Sequence, residues 1–385
     1  MKKTLVALAV TAFAASASAV TVYDAEGTKV QVDGSLRLVL EQASSKDKYH
    51  ANVLDDKSKK LYSKGQTVKN QNAHSQLRNA DSRFGVRVNH DLGNDFYALG
   101  RLEIRFDKNN SDDQFGDLYA KRAYVGLGSK QYGEVTFGHQ VTIADDYFQT
   151  DDYRYGIVPS YIATSGTQVI RYDYKGIEGL QIGANYNFAE KRDVRGKILV
   201  NELKNAYGLG AVYETQLGGN TFNVQGGIGR SNYATGTNHK HYQDGYQIAL
   251  GYTIGDLKLV GDFGYEYEKE NGSKRTKAFF VAPGFQYQVV PASRIYGNYL
   301  YERAEKTVAK ADSTTTVAKA DSTTTVAKAE KEKTHGFLLG VDYKFHKQVV
   351  AFVEGKYVQT KEYKGYDYQV KRTDKAIGVG MRVYW

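Results

Sequence analysis

Ten charged residues have the types and spacing to act together on a solute. Four aspartates fall within residues 141–167, where tyrosine and phenylalanine separate them, and six arginines alternate with apolar residues in earlier segments. Opposite charges that face each other across water create a field that orients dipolar solutes and selects weakly among ions. The plainer alternative is that these charges only hydrate a water-filled interior. The predicted constriction residues are Asp145, Asp146, Asp151 and Asp152 against Arg37, Arg83, Arg87, Arg101, Arg105 and Arg122.

Enzymatic chemistry finds little support in the sequence. His139 precedes Asp145 and Asp146, but no Gly-x-Ser-x-Gly nucleophile motif accompanies them. His239 and His241 are separated by one residue, and that spacing alone is a poor metal signal. We therefore predict that the protein is not an enzyme and has no catalytic residues, metal site or cofactor.

Strands with alternating apolar and polar residues must position the charges. In the last segment Ile377, Val379 and Met381 share one face, and the chain ends on Trp385. As a free edge in water such a strand would aggregate, so we predict that it closes a barrel in lipid, with Trp385 as the closing residue. Sixteen such segments follow one another from residue 28 onwards, an even number as in bacterial outer-membrane barrels. The predicted fold is all-β, a 16-stranded antiparallel transmembrane barrel.

Connectors between these segments alternate in length. Tight links such as 92–95 and 290–292 follow even-numbered segments, whereas long polar links follow most odd-numbered ones. Outer-membrane barrels have short periplasmic turns and long external loops, so we expect both chain termini on the periplasmic side. The long links are 43–75, 108–116, 141–167, 189–204, 233–243 and 305–334.

A nine-residue unit is repeated within 305–334. Residues 307–315 recur at 316–324, and a decayed third copy follows. The unit is of low complexity and contains no aromatic residue, which is typical of a segment without a packed core. We predict a surface loop that duplication has expanded.

The chain begins with a predicted signal peptide, residues 1–19. Lys2 and Lys3 precede a short apolar core, and small residues at 17–19 form a cleavage site. Residues 20–385 then form the barrel, and no stretch in them approaches the 18 apolar residues of a membrane-spanning helix. A soluble secreted protein is the alternative, but 32 tyrosines, 39 glycines and no cysteine, together with the alternation, favour a barrel. The net charge of +9 is spread over the chain, so we predict no nucleic-acid partner.

Six stretches carry a resemblance to a known family: 82–87, 91–94, 98–103, 122–127, 132–140 and the last strand. They resemble the Gram-negative general-diffusion porins, and among them the major porins of Haemophilus and Pasteurella type. The resemblance implies a homotrimer whose third loop, 141–167, folds inward as a constriction. Two positions depart from the family pattern: Trp385 replaces the usual terminal Phe, and His139 stands where Arg is common.

The sequence therefore predicts an outer-membrane porin for passive diffusion of small hydrophilic solutes and ions. Its expected partners are outer-membrane lipid, lipopolysaccharide, two further copies of the chain and the barrel-insertion machinery. Two alternatives stay open, a substrate-specific channel lined by aromatic residues and a barrel that serves as an adhesin or hydrolase.

Overall fold

Sixteen antiparallel strands form one closed barrel in the computed structural model, which confirms the predicted fold class. The structure describes residues 19–54, 60–107, 116–193, 196–235, 240–270, 274–308 and 330–385. The barrel strands are β1 (Thr28–Tyr49), β2 (Thr67–Asn79, continuing as Arg83–Gly93), β3 (Phe96–Asp107), β4 (Asp117–Ser129), β5 (Gly133–Val141), β6 (Ser165–Ile177), β7 (Leu180–Asn187, continuing as Glu190–Arg192), β8 (Ile198–Leu217), β9 (Asn220–Tyr233), β10 (His241–Ile254), β11 (Leu257–Glu270), β12 (Lys274–Val290), β13 (Ser293–Val308), β14 (Glu330–His346), β15 (Val349–Lys364) and β16 (Asp367–Tyr384).

Strand β16 closes the barrel by pairing with β1 over residues 35–49. Beyond it, the backbones of Trp385 and Gly34 exchange two hydrogen bonds, at 2.9 and 3.1 Å. A further short strand, Val20–Ala25, pairs with the start of β1. The sheet therefore has no free edge along the pairing of its first and last barrel strands, and its backbone groups are satisfied within the barrel.

Side chains alternate between the two faces of the wall. On β1 the outward Leu36 and Leu40 are 57% and 53% exposed, whereas the inward Arg37 and Glu41 are 6% and 5% exposed. On β16 Ile377 and Val379 point outward in the same way, at 55% and 54%. The apolar residues thus face away from the interior and the charges face into it, the reverse of a soluble protein and the pattern of a barrel in lipid.

Several strands continue past their predicted ends. β1 extends to Tyr49, and β2 begins at Thr67, so much of the predicted 43–75 link is strand. Likewise β8 begins at Ile198, inside the predicted 189–204 link. These extensions pair through backbone hydrogen bonds with their neighbours, and their polar side chains do not alternate, so the period-2 pattern could not reveal them.

Short turns gather at one end of the barrel and long connections at the other. Two-residue turns at 94–95, 178–179 and 218–219 follow even-numbered strands, and a similar turn at 365–366 is an exception at the other end. Residues 1–18, 108–115 and 309–329 lie outside the described residues, and with them most of the predicted signal peptide, the 108–116 loop and the repeats. No helix among the described residues is long and apolar enough to cross a membrane.

A candidate constriction inside the barrel

The connection between β5 and β6 lies inside the barrel. It opens with a single turn of 3₁₀ helix, Ile143–Asp146. The side chain of Ile143 packs against Gly183 on the inner face of β7. Tyr147, which is fully buried, lies on Gly210 of β8. A Cβ atom at Gly210 would collide with the Tyr147 hydroxyl, so glycine on the inner wall allows the loop to lie this close.

A buried carboxylate of β11 holds the first half of the loop. Asp262, with no exposed surface, accepts the backbone N–H groups of Gln149 at 2.8 Å and Thr150 at 3.0 Å, as well as the Thr150 hydroxyl. The Gln149 side-chain amide also donates to Gln225 on β9 at 2.8 Å. Hydrogen bonds to a charged acceptor are about twice as strong as neutral ones, so Asp262 is an anchor.

Glu354 of β15 is the second anchor, and it holds the middle of the loop. Its carboxylate, with no exposed surface, accepts the backbone N–H groups of Tyr153, Arg154 and Tyr155 at 2.6, 2.7 and 2.6 Å. The hydroxyl of Tyr296 donates to it at 2.8 Å. Four donors on one carboxylate fix the position of three consecutive loop residues.

Tyrosine side chains complete the attachment. Tyr155 donates its hydroxyl to Glu41 on β1 at 3.0 Å, and Tyr161 donates to Glu302 on β13 at 2.6 Å. Tyr153 stacks on Phe352, with ring centroids 4.6 Å apart. The loop therefore covers the inner wall from β6 round to β16. It also contacts β1, where Tyr155 and Arg154 approach Glu41 and Tyr153 packs against the cluster that contains Val39.

Two of the predicted loop aspartates form ion pairs with arginines that sequence reasoning did not single out. Asp146 lies 3.2 Å from Arg171 on β6, and Asp151 lies 2.5 Å from Arg294 on β13. Both arginines could have been predicted to face the lumen, because each occupies an inward position on a strand with alternating side chains. Asp145 is exposed, and no ion pair of it is seen among the described residues.

Asp152 faces the lumen water but is enclosed on most sides by protein atoms. This enclosure, together with the Glu354 and Asp151 carboxylates, raises the pKa of Asp152 to about 6. Its charge therefore depends on pH near neutrality.

The six predicted arginines lie together on β1–β4, the part of the wall that the loop leaves largely uncovered. Arg83 stands directly opposite Arg105, and Arg87 opposite Arg101. Glu103, 1% exposed, is the common partner of four of them, at 2.6 Å from Arg105, 3.1 Å from Arg101, 3.2 Å from Arg122 and 3.9 Å from Arg83.

A second carboxylate, on β1, pairs with two of these arginines. Asp33 accepts two hydrogen bonds from Arg101, at 2.6 and 2.7 Å, and lies 3.2 Å from Arg87. Arg37 instead donates to Ser35 at 2.7 Å. Two carboxylates among six guanidinium groups leave this wall positively charged.

The chain matches known proteins along its length. A family model described as Gram-negative porin matches residues 4–363. The major outer membrane protein of Pasteurella multocida is 28% identical over 413 residues, an alignment that covers all of both chains.

Solved structures with the same architecture are more distant in sequence. In-vitro folded OmpT, an outer membrane protein of Vibrio cholerae, is 19% identical, with a TM-score of 0.63 over 94% of this chain and 99% of that chain. An anion-selective porin from Comamonas acidovorans is 17% identical, with a TM-score of 0.63 over 93% and 100%. At these identities the likeness establishes the fold.

Proposed function

Since this chain belongs to the Gram-negative porin family, we propose that its passage is narrowest between the 141–167 loop and the arginines of β1–β4. The protein is an outer-membrane diffusion channel, as its family and its Pasteurella relative indicate. The observation that carries the proposal is the attachment of the loop to the inner wall through Asp262 and Glu354, which leaves most of the six arginines of β1–β4 uncovered.

The charges predict a weak preference for anions. Opposite charges about 8 Å apart interact by roughly 2 kcal/mol at an effective dielectric near 20, and physiological salt screens over about the same distance. Such a field orients a dipolar solute without excluding either sign of ion. Because Asp146 and Asp151 are already paired with Arg171 and Arg294, the excess charge at the passage is positive.

The test is the reversal potential of the purified protein in a planar bilayer across a tenfold salt gradient. We expect Arg83→Gln with Arg105→Gln to lower the anion-to-cation permeability ratio a few-fold and to raise conductance, because two bulky groups leave the passage. Lys269→Gln with Lys277→Gln is the matched control, since it removes the same charge from the outward face of β11 and β12. Identical reversal potentials for the two variants would refute the assignment of the passage.

A channel specific for one substrate would expose aromatic side chains along its passage. Four tyrosines between the loop and the wall are instead at most 8% exposed: Tyr147, Tyr155, Tyr161 and Tyr296. Tyr124, opposite Arg101, and Tyr384, beneath Arg37, also face inward and are partly exposed, but they stand singly among the arginines. This arrangement supports a general diffusion channel. The charged side chains that face the passage also support a channel in preference to an enzyme, and a hydrolase activity assay on lipid and peptide substrates should be negative.

The same proposal includes assembly and orientation. Trimers are recorded for V. cholerae OmpT, and we propose a homotrimer here, with the short turns and both termini in the periplasm and the outward apolar face against lipid and lipopolysaccharide. Unheated protein should migrate in SDS as an oligomer and boiled protein as a monomer. A monomeric mass by light scattering in mild detergent would contradict the trimer, and protease cleavage of an amino-terminal tag on intact cells would contradict the orientation.

A further inference from the structure

A cavity of about 260 Å³ lies inside the barrel where the middle of the 141–167 loop meets β1, β2, β15 and β16. Its volume corresponds to about nine water molecules at about 30 Å³ each. We name this cavity the junction pocket. Its charged lining residues are Glu41, Arg78, Arg154, Lys356 and Asp374.

Two of these charges neutralise each other. The Arg78 guanidinium donates to the Glu41 carboxylate at 2.9 Å. Glu41 also accepts the hydroxyl of Tyr155 at 3.0 Å, so its oxygen atoms are occupied by protein donors. Glu41 and Arg78 therefore form part of the pocket wall and leave little charge for a solute.

The other three charged groups lack hydrogen-bond partners for their side chains. The Arg154 guanidinium approaches a carboxylate only at 3.9 Å, and its Nε atom is buried without a partner. Within the described ranges, neither Lys356 nor Asp374 forms a hydrogen bond or an ion pair. Charged groups enclosed without partners cost free energy, so two cations and one anion of this pocket are left to bind a solute.

The unpartnered groups stand at separate points around the cavity. Lys356 of β15 is directly opposite Ala376 of β16, and Asp374 lies two residues further along β16. Such diagonal positions are about 7–8 Å apart, and the two charges do not meet across this gap. Arg154 approaches from the loop. A solute that carries both signs of charge can therefore contact all three groups, whereas a simple anion leaves the carboxylate of Asp374 unpaired.

We propose that the junction pocket binds amino dicarboxylates, which are α-amino acids with a second carboxylate. The ammonium group contacts Asp374, and the two carboxylates contact Lys356 and Arg154, whose guanidinium fork matches a carboxylate. Two anionic groups and one cationic group on the solute then complement two cations and one anion on the protein.

The position of the pocket gives this binding a role in permeation, and the proposal in this respect rests on the proposed function. Glu41 follows Arg37 by four residues on β1, which is about 13 Å along the strand towards the long-loop end. A solute that enters from that end meets the pocket before it reaches the arginines of β1–β4. The pocket therefore concentrates one class of anion at the entrance to the passage.

The test is calorimetric titration of the purified oligomer in detergent with L-glutamate, glutarate and L-glutamine. Charge pairs that water reaches contribute little, so we expect L-glutamate to bind in the millimolar range. Glutarate lacks the ammonium group and L-glutamine lacks the second carboxylate, so each should bind about fivefold more weakly, which is about 1 kcal/mol.

Variants assign the contacts. Asp374→Asn should weaken L-glutamate about fivefold without weakening glutarate, whereas Lys356→Gln should weaken both, and Lys356→Arg should keep the wild-type affinity. Lys306→Gln is the matched control, because Lys306 lies four residues from the inward Glu302 on β13 and shares its face, outside the pocket. It should leave all three affinities unchanged.

Four results would overturn the proposal: no saturable binding of L-glutamate to the wild type, equal affinities for L-glutamate and glutarate, an unchanged affinity in Lys356→Gln, or an equal loss in Lys306→Gln. Calorimetry involves no current, so the reversal potential of the same wild-type sample tests the channel proposal separately. A sample that binds L-glutamate but shows no anion preference contradicts the channel proposal alone. A sample with anion preference that does not bind L-glutamate contradicts only the junction pocket.

Discussion

Replacing Glu354 by glutamine should release the middle of the loop from the wall. The carboxylate accepts three backbone N–H groups at 2.6–2.7 Å and one tyrosine hydroxyl at 2.8 Å, in a site without exposed surface. An amide of the same shape keeps one acceptor oxygen and turns an NH₂ group towards donors. At least one charge-assisted hydrogen bond is then lost and one N–H is left unpaired.

The size of the effect follows from these contacts. A hydrogen bond to a charged group contributes about 1.5–3 kcal/mol, and an unsatisfied buried group costs about 1–3 kcal/mol. A loss of about 3 kcal/mol raises the population of the detached loop about 100-fold. The barrel itself is held by its strand ladders, so its thermal unfolding should change little.

Single-channel recording measures this directly. The wild type should show steady current steps, whereas Glu354→Gln should show frequent transitions between conductance levels as the loop leaves and rejoins the wall. Glu362→Gln is the control, because Glu362 is also an inward carboxylate of β15 but pairs with Arg372, at 3.4 Å. Steady steps of wild-type size in Glu354→Gln, with normal folding, would refute the anchoring role.

Three further predictions concern closure, the repeat and pH. Trp385→Asp should reduce the amount of protein in the outer membrane and leave it protease-sensitive in the periplasm, because the outward apolar face of β16 would end in a charge; normal outer-membrane levels would contradict this. Deleting one repeat unit, 316–324, should leave conductance and thermal stability unchanged, since loop closure changes by only about 0.6 kcal/mol per doubling of length; loss of folding would make the segment structural. Because the pKa of Asp152 is raised to about 6, its negative charge is lost as the pH falls from 7 to 5, and anion preference should increase over that range in the wild type but not in Asp152→Asn.

The alternation of residues predicted the number of barrel strands because lipid imposes it. Inside the apolar band every second side chain must be apolar, so Leu36, Leu38 and Leu40 mark β1 without ambiguity. Beyond the band both faces of the strand meet water, so the requirement for apolar residues at every second position ends. This happens at about the position where the predicted 43–75 link begins. The extension of β1 to Tyr49 depends on backbone pairing with β16, which the pattern of side chains does not indicate.

The candidate site was predictable in composition but not in its pairings. Inward arginines on β1–β4 are visible from alternation, and their proximity follows from consecutive strands. The partners of the loop are far away in sequence: Asp262 is more than 100 residues from Gln149, and Glu354 is about 200 from Tyr155. Which inward carboxylate meets the loop depends on how far the loop travels round the barrel, and no local pattern encodes that distance.

Glycines in the wall behind the loop influence how wide the channel is. Gly183 and Gly210 have no side chains at the points where Ile143 and Tyr147 contact the wall. The loop therefore lies closer to the wall, and it occupies less of the water-filled space. A single methyl group at Gly210 would push the loop towards the arginines of β1–β4 without altering any residue that a solute touches. The cross-section available to solutes can therefore change through substitutions that leave the charges of the passage as they are.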